Sequence, residues 1–366
     1  MTAPPPHQLP EPLSDARLAI LLKQHSLQVR RTLDGNEDFL TLLCETADGR
    51  QQVLKYCRSG APDALRRLRN EALLTCGLAV RPPLRVLRHC ADGAGYLLTT
   101  FERGEALGLQ HLGNSELMAK IADALAVFQS LGETVQTLGV SRRETTRRFL
   151  LKVMAKHLLH LWPSHLSLAQ GLTALRLLWQ GLADIDAVSV PCHADLLPTN
   201  MLRDADSDAV VFMDLEGFIL AHHPLYDVLS FFTIDARPVE QWDWQADFLR
   251  HYLAQPPAAE RLTPNSPAFV RAYRALLAFL LVYRYNEACI NAVDGRYFNG
   301  GSKTAFVVAK LLRLLTGSGL LTPRARLDGE LATRRNNLRH ALDTTAFRLH
   351  LARMLATADT PHVQSA

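Results

Sequence analysis

The sequence has no Cys-x-x-Cys pair. Its six cysteines (Cys44, Cys57, Cys76, Cys90, Cys192, Cys289) are scattered and show no zinc-ligand spacing. A disulfide scaffold and a zinc ribbon are both excluded by that pattern. Reduced thiols, some of them buried, are expected, and the cytoplasm is the expected compartment. Long apolar runs are missing as well. The longest, ALLAFLLVY between Arg274 and Arg284, is too short to span a bilayer. The opening MTAPPPHQLPEPL has neither a basic n-region nor an apolar h-region, so no secretory signal is expected, and its prolines mark residues 1–13 as a disordered tail. Charge of one sign is scarce: the net charge of +4 is too small to imply a nucleic-acid partner. No internal repeat and no GxGxxG loop occur.

What is present is ordinary globular composition, 48% hydrophobic and 21% charged, over 366 residues. That length can bury a sizeable core and is enough for two domains. Residues 26–57 read as β structure: LQVRRTL, the turn-prone DGNED, FLTLLCET, the tight ADGR turn, then QQVLKYC. PDALRRLRNEALLTCG reads as a helix, with Pro62 in its first turn and Gly77 as its C-terminal cap. Leu65, Leu68, Ala72, Leu73 and Cys76 share its apolar face, Arg66, Arg67 and Arg69 lie mostly elsewhere, and Glu71 points inward. LRVLRHC and YLLTTFE predict a second hairpin around ADGAG. Helical patterns fill 115–182 and resume from Tyr226, interrupted by two short strand-like runs. A small β-rich lobe followed by a larger helical one is the predicted organisation.

The interruption carries the chemistry. HADLLPTN, residues 193–200, follows one strand-like run, and VVFMDLEG, residues 210–217, contains the next. Carboxylates crowded there repel one another unless a cation separates them, so these residues are either scattered loop polars or a metal-dependent site. In the second case Asp195 accepts a proton from a substrate hydroxyl. Asn200 curves back to offer an amide oxygen, and Asp214 supplies a charged oxygen ligand of the kind magnesium prefers. Lys55, late in a strand, and Glu71, on the inward side of the next helix, make an ion pair suited to fixing an ammonium over a phosphate.

Read in order, Lys55, Glu71, His193-Ala194-Asp195, Asn200 and Asp214-Leu215-Glu216 resemble the aminoglycoside phosphotransferase and choline kinase-like family of the protein-kinase-like superfamily. That family's loop is usually His-Gly-Asp-x-His-Pro-x-Asn, which His193, Asp195, Pro198 and Asn200 match. PLYDVLSFF resembles its Tyr-Asp-Leu-Ala helix start, and YLLTTFERGEAL its adenine-holding hinge. The resemblance covers roughly residues 26–290. It implies an α+β, protein-kinase-like two-lobe fold, with an N-lobe over 14–102 and a helical C-lobe over 103–366. It further implies ATP and magnesium as cofactors: Lys55, oriented by Glu71, on the α- and β-phosphates, Gly35 at the phosphate turn, and Thr100 and Phe101 at the hinge. Asp195 is then the base, Asn200 and Asp214 bind the metal with Glu216 in support, His193 braces the loop, and Asp227 caps the helix after it. Ala194, Leu197 and Thr199 depart from the usual glycine, histidine and glycine.

Other signals read as structural. DADSDA lacks the sixth-position glycine of a calcium loop and predicts a turn. His222-His223 reads as loop polars and Cys192 as a packed thiol. The arginine-rich stretch from Thr322 to Met354 predicts an amphipathic helix with a solvated basic face, a docking surface for an anionic substrate being the minority reading. The expected function is transfer of the γ-phosphate of ATP to a hydroxyl of a small molecule or saccharide. A catalytically silent nucleotide-binding or interaction protein and a protein kinase are the alternatives. Trp242, Trp244, Tyr273, Tyr283 and Tyr285 are either acceptor lining or core.

Overall fold

The computed structural model of the chain describes residues 16–78, 83–140, 146–162, 165–204, 207, 209–292 and 328–356. The tail expected at 1–13 lies outside them. After α1 (Ala16–Gln24), strands β1 (Leu27–Gly35), β2 (Phe39–Thr46) and β3 (Gln51–Cys57) run antiparallel in the register the turns dictate. The β1–β2 turn closes because Asn36 Oδ1 accepts from the amides of Asp38 and Phe39, at 2.9 and 2.8 Å. Helix α2 (Pro62–Gly77) follows. The next strand, β4 (Leu84–Val86), leaves for another sheet, so the second hairpin is only β5 (His89–Gly93) with β6 (Tyr96–Thr100). Together they complete a five-stranded sheet of order β1-β2-β3-β6-β5.

Strand alternation sends side chains to two faces. Leu40, Leu42, Leu54 and Tyr56 pack with Leu18 and Leu21 of α1, while Phe39, Cys57 and Leu97 pack with Ala64, Leu68 and Ala72 of α2. Lys55, between Leu54 and Tyr56, therefore emerges on the α2 side. The inward face of α2 is Ala64, Leu68, Glu71, Ala72 and Thr75; Leu65 and Cys76, expected on it, are exposed. Helix rotation is set here by contact with both lobes rather than by the leucine count. Gly77 is the last helical residue and not a left-handed cap. A Cβ there would press on the Leu138 side chain.

The C-lobe begins with β7 (Gly104–Ala106) and the helices α3 (Ser115–Ser130), α4 (Gly132–Thr137), α5 (Thr146–Leu161) and α6 (Leu168–Ala187). The inserted strands are β8 (Val190–Cys192), β9 (Met201–Asp204), β10 (Val210–Phe212) and β11 (Ile219–His222). A second sheet has the order β4-β10-β9-β7, with β4 parallel to β10, and β8 pairs antiparallel with β11. DADSDA lies at the β9–β10 turn, partly outside the described residues. Then come α7 (Leu225–Phe232), α8 (Asp243–Ala254), α9 (Pro256–Ala259), α10 (Pro267–Ala292), α11 (Asp328–Leu342) and α12 (Thr344–Leu355). This is the protein-kinase-like two-lobe α+β fold that the motifs imply. Among the described residues, no helix is long and apolar enough to cross a membrane.

Two expectations for the C-lobe are corrected. The arginine-rich stretch is broken at Asp343, whose carboxylate accepts from Ala346 N and starts a new helix. Two of its arginines are structural rather than solvated: Arg334 donates to the carbonyls of Thr233 and Ile234, and Arg353 to those of Val239 and Glu240. His222 and His223 are not loop polars. Both are buried, and burial pushes their pKa values down to about 3 and about 4. His222 Nδ1 accepts from His223 N, and His223 Nδ1 accepts from Leu225 N at the start of α7, roles that only neutral rings can fill.

Candidate active site

Lys55 is the centre of the cleft. Its ammonium lies 2.9 Å from Glu71 Oε2, 2.6 Å from Asp214 Oδ1 and 2.9 Å from Glu216 Oε2. Burial alone lowers an ammonium's pKa, but the charges of these three carboxylates outweigh it and raise Lys55 well above its ordinary value. Glu71 is 3% exposed, and burial raises its pKa while Lys55 opposes the shift. One oxygen from each of Glu71, Asp214 and Glu216 lies within 4.8 Å of the others. Such a convergence of hard oxygens fits a divalent cation, with the Lys55 ammonium meeting the same charge here.

The loop of residues 193–200 is stitched to this cluster through one residue. Met213 O accepts from His193 Nε2 at 2.8 Å, which places the ring proton on that nitrogen, and Met213 N donates to Asn200 O at 2.9 Å. Asp214, the next residue, sits at φ 56° and ψ 55°, a left-handed conformation that aspartate tolerates better than most side chains. His193 thus braces the loop. Asp227 does so too, in a way the sequence did not indicate. It stands inside α7, fully buried, and its two oxygens accept from His193 N and Ala194 N, both at 2.9 Å. It ties the loop down instead of capping its own helix. Ala194 has φ 65°, which accounts for the glycine the motif usually carries there.

Asp195 follows. Burial raises its pKa and the charge of Asp214 adds to that, while His193, Arg284 and the Asn200 hydrogen bond act against it. Asn200 Nδ2 donates to Asp195 O and Oδ2, at 2.9 and 3.1 Å, so its own oxygen is left to serve as a ligand. Gly35 pairs with Leu40, and a Cβ there would make only ordinary contacts, so packing within the protein does not demand glycine. At the hinge the amides of Thr100 and Phe101 already donate to Arg88 O and Gln51 O, at 2.9 and 3.2 Å.

Two groups, Arg67 and Arg284, carry no signal in the sequence, while Tyr283 is among the aromatics it offers. Arg67 of α2 donates to Glu216 Oε1 at 3.1 Å and pairs with Asp38. Tyr283 and Arg284 of α10 lie close enough to interact electrostatically with Asp195. Arg284 is buried, donates to Glu287 at 2.8 Å, and packs its guanidinium 5.3 Å from the Tyr283 ring centroid. No local spacing signals contacts between elements so far apart in the chain. Of the five aromatics weighed as lining, Trp242, Trp244, Tyr273 and Tyr285 are core; only Tyr283 combines partial exposure with proximity to Asp195. A cavity of about 760 Å³ lined by Arg17, Tyr56, Leu68 and Tyr96 shares no residue with this cluster.

The profile of the phosphotransferase enzyme family matches residues 29–264, a span that contains both lobes' contributions to the cluster. The chain belongs to that family. Among solved structures, this phosphotransferase is similar to a macrolide 2'-phosphotransferase type I, at 18% identity and TM-score 0.57, over 83% of this chain and 98% of that one. It is also similar to the choline kinase of Cryptosporidium parvum Iowa II, at 11% identity and TM-score 0.51, over 83% and 97%. A third likeness, to the streptomycin–ATP–APH(2'')-IIa ternary complex, has 14% identity and TM-score 0.50 over 84% and 99%. At these identities the likeness is one of fold. No curated protein sequence matches the chain.

Proposed function

We propose that this phosphotransferase moves the γ-phosphate of ATP to a hydroxyl of a small molecule or saccharide, with magnesium as its cation. One observation carries the reading. Carboxylates from both lobes converge on Lys55, and the loop bearing Asp195 is stitched to the same cluster through Met213. Asn200 and Asp214, with Glu216 in support, would hold the cation. When bound, it would neutralise charge on the phosphates. Lys55 then holds the α- and β-phosphates, oriented by Glu71, and Gly35 lets backbone approach them. Backbone near Thr100 and Phe101, whose own amides are already engaged, receives the adenine. Asp195 aligns the acceptor hydroxyl and takes its proton as the oxygen–phosphorus bond forms and the bond to ADP breaks. Tyr283, Arg284 and Glu287 form the acceptor side.

A small-molecule acceptor is favoured over a peptide by the chain after Glu216. Residues Ile219–His222 pair as β11 with β8, and α7 begins at Leu225. That ladder leaves no length for a peptide platform. The test is ATP consumption across a panel of hydroxylated metabolites and saccharides, run beside a peptide library. Transfer to peptides alone overturns the acceptor reading, and no transfer to any acceptor favours a silent nucleotide-binding protein. Magnesium should strengthen ATP's thermal shift, and Asp214→Ala should abolish that enhancement.

A further inference from the structure

Arg67 lies beside the Lys55 cluster and pairs with acids of two elements. Its Nη1 donates to Glu216 Oε1 at 3.1 Å, its Nη2 pairs with Asp38, and Asp63 one turn earlier lies 3.4 Å from its Nε. Glu216 is shared, since its other oxygen is 2.9 Å from Lys55. Both cations also lie over one ring, Lys55 Nζ 5.1 Å and the Arg67 guanidinium 5.0 Å from the Phe39 centroid. Asp38 belongs to the β1–β2 turn, and its carbonyl accepts from Arg58 N at 2.8 Å, so the turn is a defined unit tied to the end of β3. A single guanidinium thereby joins that turn to the motif that follows β10 in the other lobe.

An exposed arginine–carboxylate pair contributes little, and Arg30–Glu45 is of that kind. Arg67 differs in two respects. Its side chain is only 20% exposed, and it holds acids from two separate elements with one planar fork. Among the described residues, Glu216 has two cationic partners, Lys55 and Arg67. We propose that Arg67 is a positioning residue, a clasp that sets Glu216 and couples closure of the β1–β2 turn over the nucleotide to the state of the metal motif. The proposal rests on the phosphotransferase reading of this cleft.

The test uses Arg67→Met, Asp38→Asn, the double variant and Arg67→Lys in the full chain. Loss of the Arg67–Asp38 link, common to both single variants, predicts a KM for ATP at least about tenfold higher in each, with kcat within about threefold. The double variant should be no worse than Arg67→Met alone, because Asp38 acts only through that guanidinium. Arg67→Lys should restore part of the loss. In the nucleotide-free protein, amide exchange across residues 36–39 should quicken about tenfold in Arg67→Met, since the turn loses its anchor. An unchanged KM, multiplicative effects in the double variant, or unchanged turn exchange overturns the clasp. Should Arg67→Met misfold, Asp38→Asn leaves α2 intact and decides the matter by the same readouts. Failure of the unmodified protein to transfer phosphate counts against the phosphotransferase reading alone, because the exchange measurement needs neither nucleotide nor turnover.

Discussion

On the nucleotide side of the cleft, Lys55 and Arg67 meet Glu71, Asp214, Glu216 and Asp38 in direct ion pairs. On the proposed acceptor side, His157, Asn286 and His160 share hydrogen bonds behind Tyr283, and behind the loop His222 and His223 serve as neutral acceptors. One wall is held by full charges, the other mainly by buried polar groups, with the Arg284–Glu287 ion pair its charged exception among the described residues. The difference fits the division of labour proposed here. Phosphates and a divalent cation are highly charged, and a site for them must present compensating charge. A hydroxyl must be located by shape and a few directed bonds, for which neutral groups suffice.

The sharpest way to break this comparison is at the residue between the walls. Asp195→Asn should lower turnover by roughly 10²–10⁴-fold while leaving the thermal shift with ATP in place. Near-normal turnover would remove Asp195 from its role and leave the two walls without a meeting point. Acid should next distinguish the walls. The folded pKa values of His222 and His223 lie below the ordinary 6.5, so their contribution is complete above that pH and is lost as pH falls toward about 3 and about 4, respectively. At pH 5 each should cost roughly 1–2 kcal/mol of stability. Melting at pH 7.5 and 5 measures it, and His222→Gln should flatten the difference; an equal drop in that variant would place the acid sensitivity elsewhere.

A smaller effect is expected at Arg284. Arg284→Met should raise the acceptor KM about tenfold and leave the KM for ATP alone, the mirror image of the expectation for Arg67. Equal damage to both constants would merge the two walls into one. Smallest of all, Ala194→Gly should relieve the left-handed strain at φ 65° and stabilise the protein by up to about 1 kcal/mol, read as a rise in Tm. A fall in Tm would mean that the methyl group's packing outweighs the strain.

The same asymmetry governed what the sequence could tell. Lys55, Glu71, His193, Asp195, Asn200, Asp214 and Glu216 were legible because their spacing is local: a strand's alternation, a helix's inward face, a five-residue loop. The hairpins at Asp34–Asp38 and Ala47–Arg50 were legible because turn chemistry is local too. Arg67, Asp38 and Arg284 were not, since each acts across a gap that only the folded chain closes. Asp227 reads as a cap because a first-turn aspartate looks like one until the loop beside it is placed; its partners are the His193 and Ala194 amides. Leu65 and Cys76 were assigned to the wrong face of α2 because periodicity counts apolar residues without knowing which neighbours a helix must satisfy.

Strand β4 has a bearing on how the enzyme can be taken apart. Leu84 and Val86 are buried with the C-lobe's core, although β4 precedes the hinge in the chain, and Arg85 pairs with both Glu102 of the hinge and Asp204 of β9. A cut at the hinge would strand a piece of the larger lobe's sheet on the smaller fragment. The larger fragment would lack an edge strand of its sheet, while the smaller kept its own five strands and an unpaired β4. The halves are therefore a complementing pair whose reassembly restores the second sheet, and not two portable modules.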